Sequence, residues 1–123
     1  MRTFIAFLTV AALAAPAAAT ACSTAGGTLV ADVGAHDGFT ITLTFTNGKR
    51  VRTLRAGTYT FVVHDRSALH NFALGSRTAN KRLFTTGIPF VGTKTYRLHL
   101  ARGSYAYACS AHFQTMNGAF SVT

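Results

Sequence analysis

Residues 107–123 read Tyr107-Ala108-Cys109-Ser110-Ala111-His112-Phe113-Gln114-Thr115-Met116-Asn117-Gly118-Ala119-Phe120-Ser121-Val122-Thr123. At the two ends of this stretch, large apolar residues alternate with small or polar ones at the two-residue period of a β-strand. Between those strands a thiol, an imidazole and a thioether fall within eight residues. Thiolate and thioether are soft donors that hold Cu(I), and imidazole suits either oxidation state, so the set points to copper in a His2Cys arrangement with a weak axial Met. The second imidazole has to come from elsewhere. His70, in Ser67-Ala68-Leu69-His70-Asn71-Phe72, is the best source, because it lies at the end of a predicted strand that can face the loop after Cys109. Metal coordination deprotonates the Cys109 thiol, and Met116 closes the loop from a third side. Gly118 then lets the last strand begin beside a crowded site.

Working outward, four landmarks occur in order: Gly57-Thr58-Tyr59-Thr60-Phe61, then Asp65-Arg66-Ser67 leading to His70-Asn71-Phe72, then Arg102-Gly103-Ser104-Tyr105 running into Cys109, and finally the Cys-x2-His-x3-Met-x-Gly loop itself. In this series the chain resembles a small single-domain cupredoxin of the plastocyanin and azurin type over residues 28–123. The resemblance implies a type 1 (blue) copper protein that carries single electrons, with one copper per chain. It implies His70, Cys109 and His112 as the strong ligands and Met116 as the axial one. It also implies that the Asn71 side chain ties the two ligand loops together, with Ser110 as its counterpart. One departure is visible: where close relatives often have a further His, this chain has Asn71-Phe72-Ala73.

The other strong periodic signals after residue 27 are strand signals. Phe39-Thr40-Ile41-Thr42-Leu43-Thr44-Phe45 alternates apolar residues with Thr, the pattern of a half-buried strand. Asn47-Gly48 accepts positive φ at both positions and predicts a tight hairpin returning through Arg50-Val51-Arg52-Thr53-Leu54. After the Ala56-Gly57 turn, Tyr59, Phe61 and Val63 share one face, and Thr58, Thr60 and His64 the other. The next strand is expected near His70. Residues 75–87 are polar and basic, with Leu83 and Phe84 as inward anchors, and read as a long loop. Residues 94–101 form a further strand in which Tyr96, Leu98 and Leu100 alternate with Thr95, Arg97 and His99. Turn signals every eight to twelve residues and no sustained helical stripe predict an antiparallel Greek-key β-sandwich of seven or eight strands.

The N-terminus reads differently. Met1-Arg2, an apolar run over residues 4–15 and Pro16-Ala17-Ala18-Ala19 form the charged, apolar and small-residue parts of a secretory signal peptide. Residues 1–19 are therefore expected to be removed, and residues 20–27 to form a flexible lead-in. Cys22 has two readings, a disulfide partner for Cys109 or a lipid-anchored first residue after Ala19-Thr20-Ala21, a degenerate lipoprotein box. The surroundings favour a free Cys109, because the Ser/Thr/Ala/Gly-rich lead-in has no reason to lie beside it. The expected location is periplasmic, cell-envelope or extracellular.

Charge bounds the partners. Twelve Lys and Arg face three Asp and no Glu, a net of +9, which becomes +8 once Arg2 is removed. Such a surplus steers acidic partners or anionic surfaces towards the domain, or simply keeps it soluble. An acidic redox protein is the expected partner and a monomer the expected state. Nucleic acid is not: the basic residues Lys49, Arg50, Arg52 and Arg55 lack interleaved aromatics that stack bases.

Catalytic classes find little material. There is no Gly-x-Ser-x-Gly elbow, P-loop or His-Glu-x-x-His helix, and no His-x-His pair of the kind multicopper enzymes use. Three competing readings of the same residues are a copper carrier or scavenger, a metal-free structural sandwich, and a zinc site. The Met after His112 favours copper over zinc. His36, His64 and His99 read as surface imidazoles, Tyr105 and Tyr107 as core, and Phe113 either as an apolar rim beside His112 or as a core plug.

Overall fold

The computed structural model describes residues 25–123 and forms two β-sheets packed face to face. The strands are β1 (Ala25–Val33), β2 (Ile41–Phe45), β3 (Thr53–Leu54), β4 (Gly57–Asp65), β5 (Ala73–Ser76), β6 (Lys81–Thr85), β7 (Gly92–Leu100), β8 (Gly103–Ala108) and β9 (Asn117–Val122). One sheet has the order β2-β1-β4-β7 and the other β3-β9-β8-β5-β6. The expected all-β sandwich is the fold. The signal-peptide segment and Cys22 lie outside the described residues.

Alternation dictates the layers. Leu29, Ala31 and Val33 of β1, Leu43 of β2, and Tyr59, Phe61 and Val63 of β4 are buried on one side, and Leu74, Phe84, Tyr105, Tyr107, Phe120 and Val122 on the other. Phe61 of β4 meets Phe84 of β6 edge-on at 5.5 Å between the sheets, while Phe72, just before β5, stacks on Tyr107 of the neighbouring β8 at 5.2 Å. Such pairs prefer these offset and edge-on geometries.

Several features differ from the sequence expectation. Nine strands form, and the sheets are mixed, because β1 runs parallel to β4 from Ala25↔Gly57 onward and β3 runs parallel to β9. That pairing draws Ala25, Gly26 and Gly27 out of the expected lead-in and into β1. The Asn47-Gly48 turn closes, with positive φ at Gly48 alone and Phe45 N–H donating to Lys49 C=O at 2.8 Å, but the returning chain makes only the bridge Thr44↔Arg50 before Thr53 and Leu54 cross to the other sheet. Lastly, residues 75–87 are not a loop: β5 and β6 form an antiparallel hairpin with a register shift between Leu74 and Gly75. The bulge breaks the two-residue alternation, and β6 is an edge strand whose outer residues are basic, so neither strand signal survives in the sequence. The strand expected near His70 begins at Ala73, which leaves His70 free in the preceding loop.

Candidate metal centre

Two loops at one end of the sandwich build the site. The first runs from the end of β4 to the start of β5 and carries His70. A relay of buried polar groups fixes it: Thr86 Oγ1 donates to Asp65 Oδ2 at 2.6 Å, and Phe72 N–H donates to Thr86 Oγ1 at 2.9 Å. Asp65 Oδ1 also accepts from Ser67 N–H, and Ser67 Oγ from Leu69 N–H, at 3.4 and 3.2 Å. The loop is thus pinned on both sides of His70, which is 1% exposed. Burial pushes the Asp65 carboxyl above the ordinary value of 3.8, against the opposing pull of the Thr86 hydroxyl.

The second loop joins β8 to β9. Cys109 N–H donates to Met116 C=O at 3.0 Å and Met116 N–H to His112 C=O at 2.8 Å, which closes the loop into a compact turn. Asn117 Nδ2 donates to Phe113 C=O at 2.8 Å and braces it from outside. Cys109 and Met116 are fully buried, and His112 is half-buried. Gly118, the second residue of β9, lies against the Tyr107 ring, where a Cβ would collide with the phenol; the crowding there comes from this ring.

The two loops bring three donors together. His70 Nδ1 and His112 Nδ1 face each other 3.1 Å apart, and Cys109 Sγ stands 3.8 Å from the first and 3.6 Å from the second. A point equidistant from the three donors lies about 2.0 Å from each, the length of a metal–imidazole bond. The residues therefore fit a mononuclear metal with two nitrogens and one thiolate, and soft sulfur beside imidazole fits copper. His70 Nε2 lies 3.5 Å from the Asp37 carbonyl; donation there leaves Nδ1 as the lone-pair nitrogen aimed inward, the tautomer a metal needs. Met116 closes the same loop through its backbone, and its side chain is fully buried and part of the core.

Asn71 links the loops. Its Oδ1 accepts from Ser110 N–H at 2.8 Å and from Ser110 Oγ at 2.9 Å, and its Nδ2 donates to Thr85 Oγ1 at 2.8 Å. These bonds join the segment that follows His70 to the one that follows Cys109. Phe113 is 61% exposed, so of its two readings the rim beside His112 is the one observed. His36 lies exposed in a turn, while His64 and His99 face Thr93 and Thr58 on the outer sheet surface. Among the described residues the sole His, Cys, Asp or Glu grouping with metal-ligand spacing is His70, Cys109 and His112.

Sequence reasoning missed Phe39. Its parity with Ile41, Leu43 and Phe45 placed it in the core, but β2 starts only at Ile41, and Phe39 is 63% exposed. Its ring stands edge-on to both imidazoles, 5.3 Å from His70 and 4.9 Å from His112. The preceding turn swings it there: Gly34, His36 and Asp37 all have positive φ. A Cβ at Gly34 would press on Ser67 and, at 3.1 Å, on His70 Cδ2. The sequence signal, had it been used, was the His36-Asp37-Gly38 turn directly before the aromatic.

Solved structures match this arrangement of strands. The copper protein rusticyanin superposes with a TM-score of 0.54 at 21% identity, covering 78% of this chain and 76% of the other. Rusticyanin from Thiobacillus ferrooxidans gives 0.53 at 21% identity over the same shares. The chain has the cupredoxin fold. Within that fold the three donors occupy the end of the sandwich where β8 gives way to the loop before β9. A rusticyanin variant covers more of the cupredoxin domain, 85% of each chain, with a TM-score of 0.54 and 19% identity. No protein-family model matches the sequence, and no curated protein does.

Proposed function

We propose that the protein is an exported type 1 (blue) copper protein that carries one electron at a time between partner proteins and catalyses no reaction of its own. The observation that carries this reading is the inward-facing triangle of His70 Nδ1, His112 Nδ1 and Cys109 Sγ, with sides of 3.1, 3.6 and 3.8 Å, on a cupredoxin fold. Copper bound there supplies a one-electron couple whose potential responds to the axial ligand and to the hydrogen bonding around the Cys sulfur.

The chain's own residues do the rest. His70, Cys109 and His112 would hold the metal, and Met116 would offer it a weak thioether donor. The Asn71–Ser110 tie and the Asp65–Thr86–Phe72 relay resist movement of either loop, which favours a site that keeps one geometry in both oxidation states. His70 is sealed from solvent, while His112 borders a shallow pocket of about 440 Å³ edged by Phe39 and Phe113. Those two exposed rings give the one ligand near the surface an apolar border. One copper per chain fits a site whose donors all come from a single domain, and a monomer remains the expected state.

Export is supported by the signal-like sequence of residues 1–19, and the positive charge supports an acidic redox partner. Cys22 offers a lipid anchor, which mass spectrometry of the natural N-terminus distinguishes from a soluble form. Voltammetry and self-exchange measurements test the functional reading. A reversible one-electron wave with fast self-exchange supports an electron carrier; copper that binds and passes to chelators without a reversible couple makes the protein a copper carrier or scavenger.

A further inference from the structure

We infer that the outer face of the five-stranded sheet carries a docking groove for an acidic segment of a protein partner, separate from the His112 end. Calling that partner a redox protein rests on the proposed function; the groove itself does not. All three acidic side chains belong to the opposite sheet or its connections: Asp32 lies in β1, Asp37 follows it and Asp65 ends β4. Among the described residues the sole ion pair is Asp32 with Arg66, at 2.7 Å. Residues 67–123 contain no acidic side chain at all. The five-stranded sheet therefore presents cations with no carboxylate side chain of its own to answer them.

Those cations surround a concavity. A groove of about 300 Å³ crosses β8, β5 and β6, with Gly75, Ala106 and Ala108 in its floor and Arg77, Lys81 and Arg82 lining it. The floor is low because the outward residues of β5 and β8 that line it, Ala73, Gly75, Ala106 and Ala108, have side chains no larger than a methyl group, and Arg82 is paired opposite Gly75. The rim is held in place before any partner arrives. Arg77 N–H donates to Ser104 C=O at 2.8 Å, Ser104 N–H to Thr78 Oγ1 at 2.9 Å, and Ala79 N–H to Ser76 Oγ at 3.0 Å. A fixed rim lowers the ordering cost of binding.

Charge complementarity selects the occupant. Two Arg and one Lys at the lip of a narrow, shallow groove match carboxylates carried on an extended or helical segment. The other basic cluster, Lys49, Arg50, Arg52 and Arg55, differs in shape: a cavity beside it is lined by Arg55 alone of the four. The groove also reaches Ala108, the residue bonded to Cys109, so a partner seated there approaches the thiolate side of the site and leaves the His112 edge free.

The test uses hexaglutamate peptide as the probe at low ionic strength, titrated into the isotopically labelled protein in both copper-free and Cu(I)-loaded forms and followed by amide chemical shifts. The groove predicts shifts centred on Gly75, Arg82, Ala106 and Ala108 in both forms. Combined Arg77→Glu, Lys81→Glu and Arg82→Glu should weaken binding by roughly tenfold or more, and the Gln versions by less, whereas Arg50→Glu, Arg52→Glu and Arg55→Glu should change it by about twofold at most. Equal losses in the two triple variants, or shifts centred on residues 49–55, would overturn the proposal. So would phosphatidylglycerol vesicles that bind at the groove when the peptide does not. The visible band of each Cu(II)-loaded variant is recorded alongside, so that a defect in the metal site is not scored as a defect in the groove.

Discussion

Asn71 and Ser110 are joined twice, through Asn71 Oδ1 to both the backbone N–H and the hydroxyl of Ser110, across 39 residues of sequence. One residue follows His70 and the other follows Cys109, so the pair sets the distance between two donors. Asn71→Ala removes three hydrogen bonds from a buried position and should cost about 2 kcal/mol of stability, since Ser110 is exposed and regains water. It should also weaken copper binding by about tenfold to a hundredfold, the scale of losing a group that orients a ligand. Urea unfolding and a competitive chelator titration check both; a variant that matches the wild type in each would show that the tie does not position the site.

Phe39 makes its contacts at the surface, so its loss should separate stability from metal retention. Phe39→Ala gives up two edge-on ring contacts but little burial, and unfolding should shift by about 1 kcal/mol or less. The half-buried His112 ring then becomes more exposed, and release of copper to a chelator should be faster than in the wild type. Stopped-flow release kinetics decide it, and an unchanged rate would limit Phe39 to a packing role.

Met116 fills core volume as well as standing in the ligand loop. Met116→Leu keeps that volume and should cost less than about 1.5 kcal/mol, still bind copper, and raise the reduction potential; Met116→Gln should lower it. Voltammetry reads the direction. Equal potentials in all three proteins would remove Met116 from the coordination of the metal.

Asp65 gives the fold a specific pH dependence. Burial holds its folded-state pKa above 3.8, so the folded protein binds this proton more tightly than the unfolded chain does. The resulting stabilisation is fully present below the unfolded value and is lost as pH rises through the folded one. Asp65→Asn should remove that part of the slope. Urea midpoints across the acidic range check it; identical slopes for the two proteins would contradict the assignment.

The site was more legible than the sheets that carry it. Cys109, His112 and Met116 are neighbours in sequence, so their spacing alone reports their proximity, and His70 could be added because few loops can face them. The Asn71–Ser110 tie followed from the family resemblance. The parallel pairing of β1 with β4 was not legible, because two strands separated by a hairpin leave no local trace of their register. The β5–β6 hairpin was hidden by its bulge at Leu74 and Gly75 and by the basic outer face of an edge strand. Phe39 was misplaced for the opposite reason: its parity was right for the core, and only the left-handed turn through His36 and Asp37 turns it outward.

The central claim is that Cys109 places a thiolate on copper between His70 and His112. Its most direct measurement is the visible spectrum of the purified protein after addition of Cu(II), beside that of Cys109→Ser. The wild type should become intensely blue or green at one copper per chain, and the variant should keep its fold and stay nearly colourless. Copper bound to the wild type without that band, or the same band in Cys109→Ser, would contradict the account.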